Sequence, residues 1–307
     1  MADEKRIDEP TGTETVGHEW DGIEELNTPL PRWWLWTFYL TIVWAIAYTI
    51  AFPAWPGIKG ATEGLLGWSS EDQLREELAA DMQRRAPLLE RLAVTPIERL
   101  PENSELLRVS QAGGSSLFKN YCVQCHGTGA AGGRGYPNLN DDDWLWGGDL
   151  KAIEYTITHG IRNPAHDETR MSLMPAFGRD GLLDAAQIDD LVSYVRVISG
   201  QEKAGEGAKR GAAIFSQQCV ACHGPQGKGM RSEGAPNLTD AIWLYGGDRK
   251  TIRETIWNSR NGVMPRFGTR LNPTEIKMLA SYVHSRGGGE DFVEVAQDPA
   301  VEVDERP

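Results

Sequence analysis

The chain has 307 residues, with 44 acidic against 31 basic side chains and a formal charge of −13 at pH 7. That imbalance repels a polyanion, so nucleic acid is excluded as a partner, and it favours partners that present a basic face. The 40% hydrophobic fraction excludes global disorder, and the length allows two or three domains.

Residues 1–31 form a polar, acidic arm with no core-building pattern. From Trp33 to Phe52 the chain carries no charge, glycine or proline. At about 1.5 Å rise per residue this stretch spans about 30 Å, one hydrocarbon thickness. One transmembrane helix is therefore expected within residues 32–56. Trp33, Trp34 and Trp36 with Arg32 mark one lipid–water boundary, and Phe52, Trp55 and Lys59 the other. A signal peptide would begin near residue 1 with a basic stretch, whereas here a polar, acidic segment comes first. Arg32 before the helix and Lys59 after it balance, so the distribution of basic residues does not set the orientation.

Residues 57–107 read as a helical connector. Ser70 and Gln73 have capping-box spacing, and Leu74, Leu78 and Met82 share one face. Pro87 is expected to end this helix, and the pairs Glu71–Arg75 and Asp81–Arg85 suit a solvated surface.

The rest of the chain repeats itself. Gly114-Ser-Ser-Leu-Phe118 matches Gly211-Ala-Ala-Ile-Phe215, and Cys122-Val-Gln-Cys-His126 matches Cys219-Val-Ala-Cys-His223. Tyr136-Pro-Asn-Leu139 then pairs with Ala235-Pro-Asn-Leu238, and Trp144-Leu-Trp-Gly-Gly-Asp149 with Trp243-Leu-Tyr-Gly-Gly-Asp248. Met174-Pro-Ala-Phe-Gly178 corresponds to Met264-Pro-Arg-Phe-Gly268, and each unit closes on a helical pattern bearing Ser193-Tyr194-Val195 or Ser281-Tyr282-Val283. The offset falls from 243 − 144 = 99 at the tryptophans to 264 − 174 = 90 at the methionines. The first unit therefore carries an insertion of about nine residues around Asn163 to Arg170, expected as a surface loop. The units are placed at 108–200 and 209–288, with a linker at 201–208 and an acidic tail at 289–307.

The Cys-x-x-Cys-His spacing is that of c-type haem attachment. Cys122 and Cys125, like Cys219 and Cys222, are placed to form thioether bonds to a porphyrin edge, and the adjacent His126 and His223 to reach the iron. A zinc reading lacks the further cysteines that would complete the metal's shell. Met174 and Met264 are the candidate sixth ligands, since a thioether opposite imidazole favours reduced iron and closes it to exogenous ligands. Met171 competes with Met174 but lacks the Pro-x-Phe-Gly context, and Met230 and Met278 read as core filler. Each methionine can serve its own repeat or the other one; pairing within a repeat is the simpler folding unit. His159, where the second unit has Asn258, and His166, in the insertion, read as surface or internally satisfied, as do His18 and His284. No histidine lies in the membrane stretch, so an oxygen-reducing haem–copper centre is not carried by this chain. A dihaem peroxidase needs an open iron, and two intact Met-Pro motifs argue against one. Since c-type haem is attached on the outer face of the bacterial membrane, it implies periplasmic haem units, a cytoplasmic N-terminus and a single pass of the inner membrane.

With these motifs in place, the repeats resemble class I cytochrome c domains. The resemblance implies that Gly114 and Phe118 pack against Tyr194, and Gly211 and Phe215 against Tyr282. It also implies that the Pro137 and Pro236 carbonyls orient His126 and His223, and it offers Arg134 and Arg231 to the haem propionates. The N-terminal segment Gly17-His-Glu-Trp-Asp-Gly-Ile-Glu-Glu-Leu-Asn27, then Pro29-Leu-Pro-Arg-Trp-Trp34 and Pro53-Ala-Trp-Pro56, is similar to the dihaem subunit (subunit III) of cbb3-type cytochrome c oxidases. The fold implied is mainly α: one N-terminal transmembrane helix followed by two tandem class I cytochrome c domains. The implied role is electron transfer through two c-type haems without a catalytic site on this chain. Electrons would come from a donor cytochrome c with a basic docking face and pass, through a monohaem cytochrome c subunit, to the catalytic oxidase subunit.

Overall fold

The computed structural model describes residues 5–58, 60–164 and 166–291; expectations resting on Lys59 and on the tail from residue 292 lie outside the described residues. The chain divides into two compact units, Met1–Arg84 and Arg85–Pro307.

In the first unit, the polar arm forms a two-stranded antiparallel hairpin, β1 (Thr15–Trp20) and β2 (Ile23–Leu26). Asp21 and Gly22 close it with φ of 49° and 85°, the two left-handed positions that match a tight turn to the twist of its strands. Helix α1 (Arg32–Ala51) follows, with no buried residue and a mean hydropathy of 1.5. It is long and apolar enough to cross a membrane, and it anchors the chain there.

Helix α2 (Ser70–Val94) departs from expectation at both ends. Ser69, not Ser70, caps it, its Oγ accepting from the Asp72 amide at 3.3 Å, while Gln73 takes the Trp68 indole N–H at 2.8 Å. Leu74, Leu78 and Met82 are exposed, as a solvated connector requires. Pro87 does not end the helix. Proline removes one i→i−4 hydrogen bond, but the chain one turn earlier is exposed, so water can take the freed carbonyl. Continuing the helix also brings Leu88, Leu89 and the fully buried Leu92 into the core of the second unit.

That second unit contains α3 (Ser104–Tyr121), α4 (Val123–His126), α5 (Leu150–His159), α6 (Ala185–Ile198), α7 (Glu206–Gln218), α8 (Val220–His223), α9 (Arg249–Asn258) and α10 (Pro273–His284). Local sequence starts five of these helices. Asn103 caps α3, Asp149 and Asp248 at the ends of the Gly-Gly-Asp turns cap α5 and α9, and full capping boxes, Asp184 with Gln187 and Asn272 with Glu275, open α6 and α10. Ile188, Leu191, Val192 and Val195 on α6, and Ile276, Leu279, Ala280 and Val283 on α10, give each last helix a buried stripe at i, i+3, i+4, i+7, which α10 widens with Lys277, Met278 and Ser281.

The repeats exchange these last helices. α10, from the second repeat, packs on α3 and α5 of the first, and α6, from the first, packs on α7 and α9 of the second. The expected aromatic pairs are thereby corrected. Phe118 meets Tyr282, with ring centroids 5.3 Å apart, and Phe215 meets Tyr194 at 5.1 Å. Gly114 lies so close to α10 that a methyl group there would overlap the Met278 carbonyl and the Tyr282 Cβ; Gly211 stands the same way to Asp190 and Tyr194. The first lobe is thus built from α3, α4, α5 and α10, and the second from the contiguous run α6 to α9.

Candidate functional site

In each lobe a short helix, α4 or α8, carries the attachment motif directly after the long helix α3 or α7. The chain then turns back so that Nδ1–H of His126 donates to the Pro137 carbonyl at 3.2 Å, and Nδ1–H of His223 to the Pro236 carbonyl at 3.1 Å. Gly132 (φ 67°) and Gly229 (φ 78°) permit this return, since a side chain at either would collide with the very backbone that presents the proline carbonyl. The bond fixes the tautomer, leaving Nε2 as the lone-pair nitrogen of a neutral imidazole. Burial lowers the pKa of both histidines, with the carbonyl bonds acting in the opposite sense. Before any haem is attached, burial, then the neighbouring cysteine, pushes the Cys122 and Cys219 thiols up to about 11.

The methionines follow the exchanged helices. Met264 packs on the core cluster of the first lobe, as do Cys122, Val123 and Leu139, and Met174 packs on that of the second, as do Cys219, Val220 and Leu238. Each is held by the end of the other repeat's middle helix. Met264 and Ile161 exchange two backbone hydrogen bonds of 3.0 Å, and the Phe267 and Gly268 amides donate to the Ile157 and Thr158 carbonyls at the end of α5. Reciprocally, the Met174 carbonyl accepts from Ser259 Oγ at 2.6 Å, and the Phe177 and Gly178 amides donate to the Ile256 and Trp257 carbonyls at the end of α9. Met171 is 55% exposed and faces solvent, and Met278 lies in the core against Gly113.

Outside the attachment motifs, the structure groups residues that sequence reasoning treated separately. Arg266 donates to Nδ1 of His166 at 2.9 Å, so Nε2–H of His166 must donate to Nδ1 of His159, 2.8 Å away. Glu168 lies within 3.5 Å and 3.8 Å of the two rings. The rings are parallel with centroids 5.0 Å apart. A metal-bound imidazole turns its other N–H outward as a donor, whereas here that nitrogen accepts from arginine; the trio is a hydrogen-bonded chain, not a chelate. Both histidines are satisfied, as is His284, which lies 2.8 Å from the Glu290 carbonyl.

Of the arginines offered to the propionates, Arg134 is exposed and Arg231 pairs with Glu290. Arg170 and Arg260, four residues before Met174 and Met264 and separated by the same offset of 90 as the methionines, are instead partly buried. That shared offset was the signal available in the sequence. Trp146 Nε1, Trp243 Nε1 and Arg260 Nε are buried without an acceptor among the described residues, while Arg260 Nη2 lies 3.0 Å from the Glu254 carboxylate. Paired thiols, an oriented imidazole and a thioether on one apolar cluster in each lobe, with orphaned buried donors in the same unit, fit a group that is apolar in its body and bears carboxylates, as haem does.

Residues 12–59 match the family profile described as the N-terminal domain of cytochrome oxidase-cbb3, FixP. Residues 110–195 and 206–283 each match the profile described as cytochrome c oxidase, cbb3-type, subunit III. The chain is 54% identical over 276 residues to the cbb3-type cytochrome c oxidase subunit CcoP of Cereibacter sphaeroides, covering 90% of this chain and 95% of that one. It is 52% identical to the subunit FixP of a Bradyrhizobium species, covering 94% of this chain and all of that one, and 51% identical to the FixP of Azorhizobium caulinodans, covering 92% and 96%.

Proposed function

The chain belongs to the subunit III family of cbb3-type cytochrome c oxidases, in which it is an electron-transfer subunit with two covalently bound c-type haems, and from that premise we propose that each iron takes its ligands from both repeats. His126 and Met264 hold the first haem, attached through Cys122 and Cys125. His223 and Met174 hold the second, attached through Cys219 and Cys222. The observation that carries this reading is the reciprocal packing: Met264 and Cys122 share the first lobe's core cluster, and Met174 and Cys219 the second's. When bound, haem supplies a reversible one-electron couple at iron. The protein's part is to keep both axial positions filled, so that electrons pass and exogenous ligands do not. Pro137 and Pro236 hold the imidazoles in the binding tautomer, and the Ile161 and Ser259 contacts hold the backbone of each methionine.

The other oxidase subunits are this chain's partners. Within that setting, electrons enter from a donor cytochrome c with a basic docking face and leave through a monohaem cytochrome c subunit toward the catalytic subunit. The net charge of −13 supports such a donor. The haem lobes face the periplasm and the N-terminal hairpin the cytoplasm, as attachment of c-type haem on the outer face requires.

The exchanged ligation is tested in a chain that retains only the first haem, C219A/C222A. In that background Met264→Leu is expected to open the iron, seen as a high-spin spectrum and carbon monoxide binding, while Met174→Leu leaves it six-coordinate. The opposite pattern would restore pairing within each repeat.

A further inference from the structure

Each last helix has two seats open to it, one in either lobe, and the side chains at the helix contacts fit only one of them. Aligned by the repeat, Glu154 of α5 corresponds to Arg253 of α9, and Gly113 of α3 to Arg210 of α7. Asp189 and Asp190 of α6 correspond to Lys277 and Met278 of α10. In the second lobe, Arg253 Nε donates to Asp189 at 2.8 Å, and Arg210 grips Asp190 with two bonds of 2.7 Å, from Nε and Nη2. In the first lobe all four positions change in matched pairs. Lys277 stands for Asp189 where Glu154 stands for Arg253, and Met278 stands for Asp190 where Gly113 stands for Arg210. Burial shifts Glu154 up and Lys277 down, and each opposes the other's shift, as opposite charges do. Met278 fills the space that Gly113 leaves, since even a methyl group there would stand 2.5 Å from Met278 Sδ.

Seating each last helix on its own repeat would undo every match. With α6 on α3 and α5, Asp189 would meet the half-buried Glu154, a like charge, and Asp190 would face a glycine. With α10 on α7 and α9, Lys277 would meet Arg253, and the buried Met278 would be pressed against Arg210. The glycine–tyrosine contacts do not discriminate, because Gly114 and Gly211 meet Tyr282 and Tyr194 in the same way. One exposed ion pair contributes little by itself. Here attraction in both lobes stands against repulsion in both, so the small terms all act in one direction.

Resting on the exchanged ligation proposed above, we infer that Glu154 with Lys277, Arg253 with Asp189, Arg210 with Asp190 and Gly113 with Met278 are positioning residues that select the exchanged seats, and so decide which methionine reaches which iron. Met174 and α6 lie on one continuous segment, as do Met264 and α10. A helix that changes lobe therefore takes its methionine with it.

The test asks whether reversing the charges closes an open iron. A full-length chain holding only the first haem, C219A/C222A, and carrying Met264→Leu has an open iron under exchanged seating and binds carbon monoxide. Into it go Glu154→Arg and Arg253→Glu together. They set like charges against Lys277 and Asp189 in the exchanged seats and opposite charges in the others, and they leave the bonds from Lys277 to the end of α2 in place. The carbon monoxide-binding fraction is expected to fall by about threefold or more, with a low-spin spectrum, as α6 brings Met174 to the first iron. Adding Met174→Leu should reopen it, which loss of packing alone would not do. Glu154→Lys alone should close a smaller fraction, and it reads the same effect where the double reversal does not retain haem on staining. An iron that stays fully open in a haem-retaining variant, or a closure that survives Met174→Leu, overturns the proposal. An iron already closed before any charge is reversed overturns the exchanged ligation beneath it instead.

Discussion

Lys277 offers a sharp test of how the connector is held to the first lobe. It sits on α10, only 8% exposed, and its ammonium donates to the carbonyls of Leu92 at 2.9 Å, Ala93 at 3.0 Å and Thr95 at 2.6 Å. These lie at the C-terminal end of α2, where a helix leaves its last carbonyls without intrahelical partners and where a cation is favoured. Burial holds the lysine below its usual range, with Glu154 and Glu98 pulling the other way. Lys277→Met keeps the length of the side chain and removes all three donors. Hydrogen bonds to a charged group are worth about 1.5–3 kcal/mol each, so the gross loss is about 4.5–9 kcal/mol. Relief of the buried ammonium and entry of water to the less buried Ala93 and Thr95 carbonyls offset roughly half of it, leaving about 2–4 kcal/mol. Urea unfolding of the full-length chain in detergent reads the global term, and amide hydrogen exchange of residues 92–96 reads the local one. A variant with parental stability and unchanged exchange in that segment would show that Lys277 does not tether the connector.

Gly114→Ala and Gly211→Ala each force a methyl group into backbone of the exchanged helix, and each should cost ~3 kcal/mol or more, measured by denaturant unfolding with retained haem stain as the folding control. Asp143 is raised to about 6, first by burial and then by Asp240, Asp141 and Asp142, with Arg231 opposing. Its folded pKa lies above the unfolded one, so the folded state binds the extra proton and stability falls as pH rises from about 4 to about 6. Asp143→Asn should thus gain about 1 kcal/mol over the parent at pH 7, after discounting a half-exposed group for solvent screening, and nothing at pH 3.5, as read by melting across pH. A chain ending at Gly200 should lack a six-coordinate first haem, because α10 and Met264 are gone, whereas one ending at Arg260 should keep a low-spin second haem. Carbon monoxide difference spectra distinguish the two, and a closed first haem in the shorter chain would refute the exchange.

Much of this arrangement can be read from the chain because it is local. The attachment motifs, the proline carbonyls and the capping residues Asp149, Asp248, Asp184 and Asn272 act over a few residues, and their geometry follows from spacing alone. The exchange is not local. Gly114 with Phe118 and Gly211 with Phe215 present nearly the same surface to Tyr194 or Tyr282, so pattern matching scores both pairings equally. Connection length breaks the tie: only residues 199–205 separate α6 from α7, and a connection that short makes antiparallel neighbours. The continuation past Pro87 was hidden for a related reason, since the reward for it, burial of Leu92, comes from a helix nearly two hundred residues later.

The exchange also bears on electron transfer itself. Tunnelling falls steeply with distance, so a relay between two haems is only as steady as their separation. Two self-contained domains on a flexible linker would let that distance wander. Here the chain crosses between lobes twice, after α5 and after α9, and the crossings are joined to each other. Arg162 donates to the Ser172 carbonyl at 2.6 Å on one crossing and to the Gly262 carbonyl at 2.9 Å on the other, while Ile161 pairs with Met264. Neither lobe can shift against the other without breaking contacts that also seat Met264, the proposed ligand of the first iron. On the proposed ligation, ligand geometry and haem separation are held by the same few hydrogen bonds, and a lesion at the crossing should disturb both together.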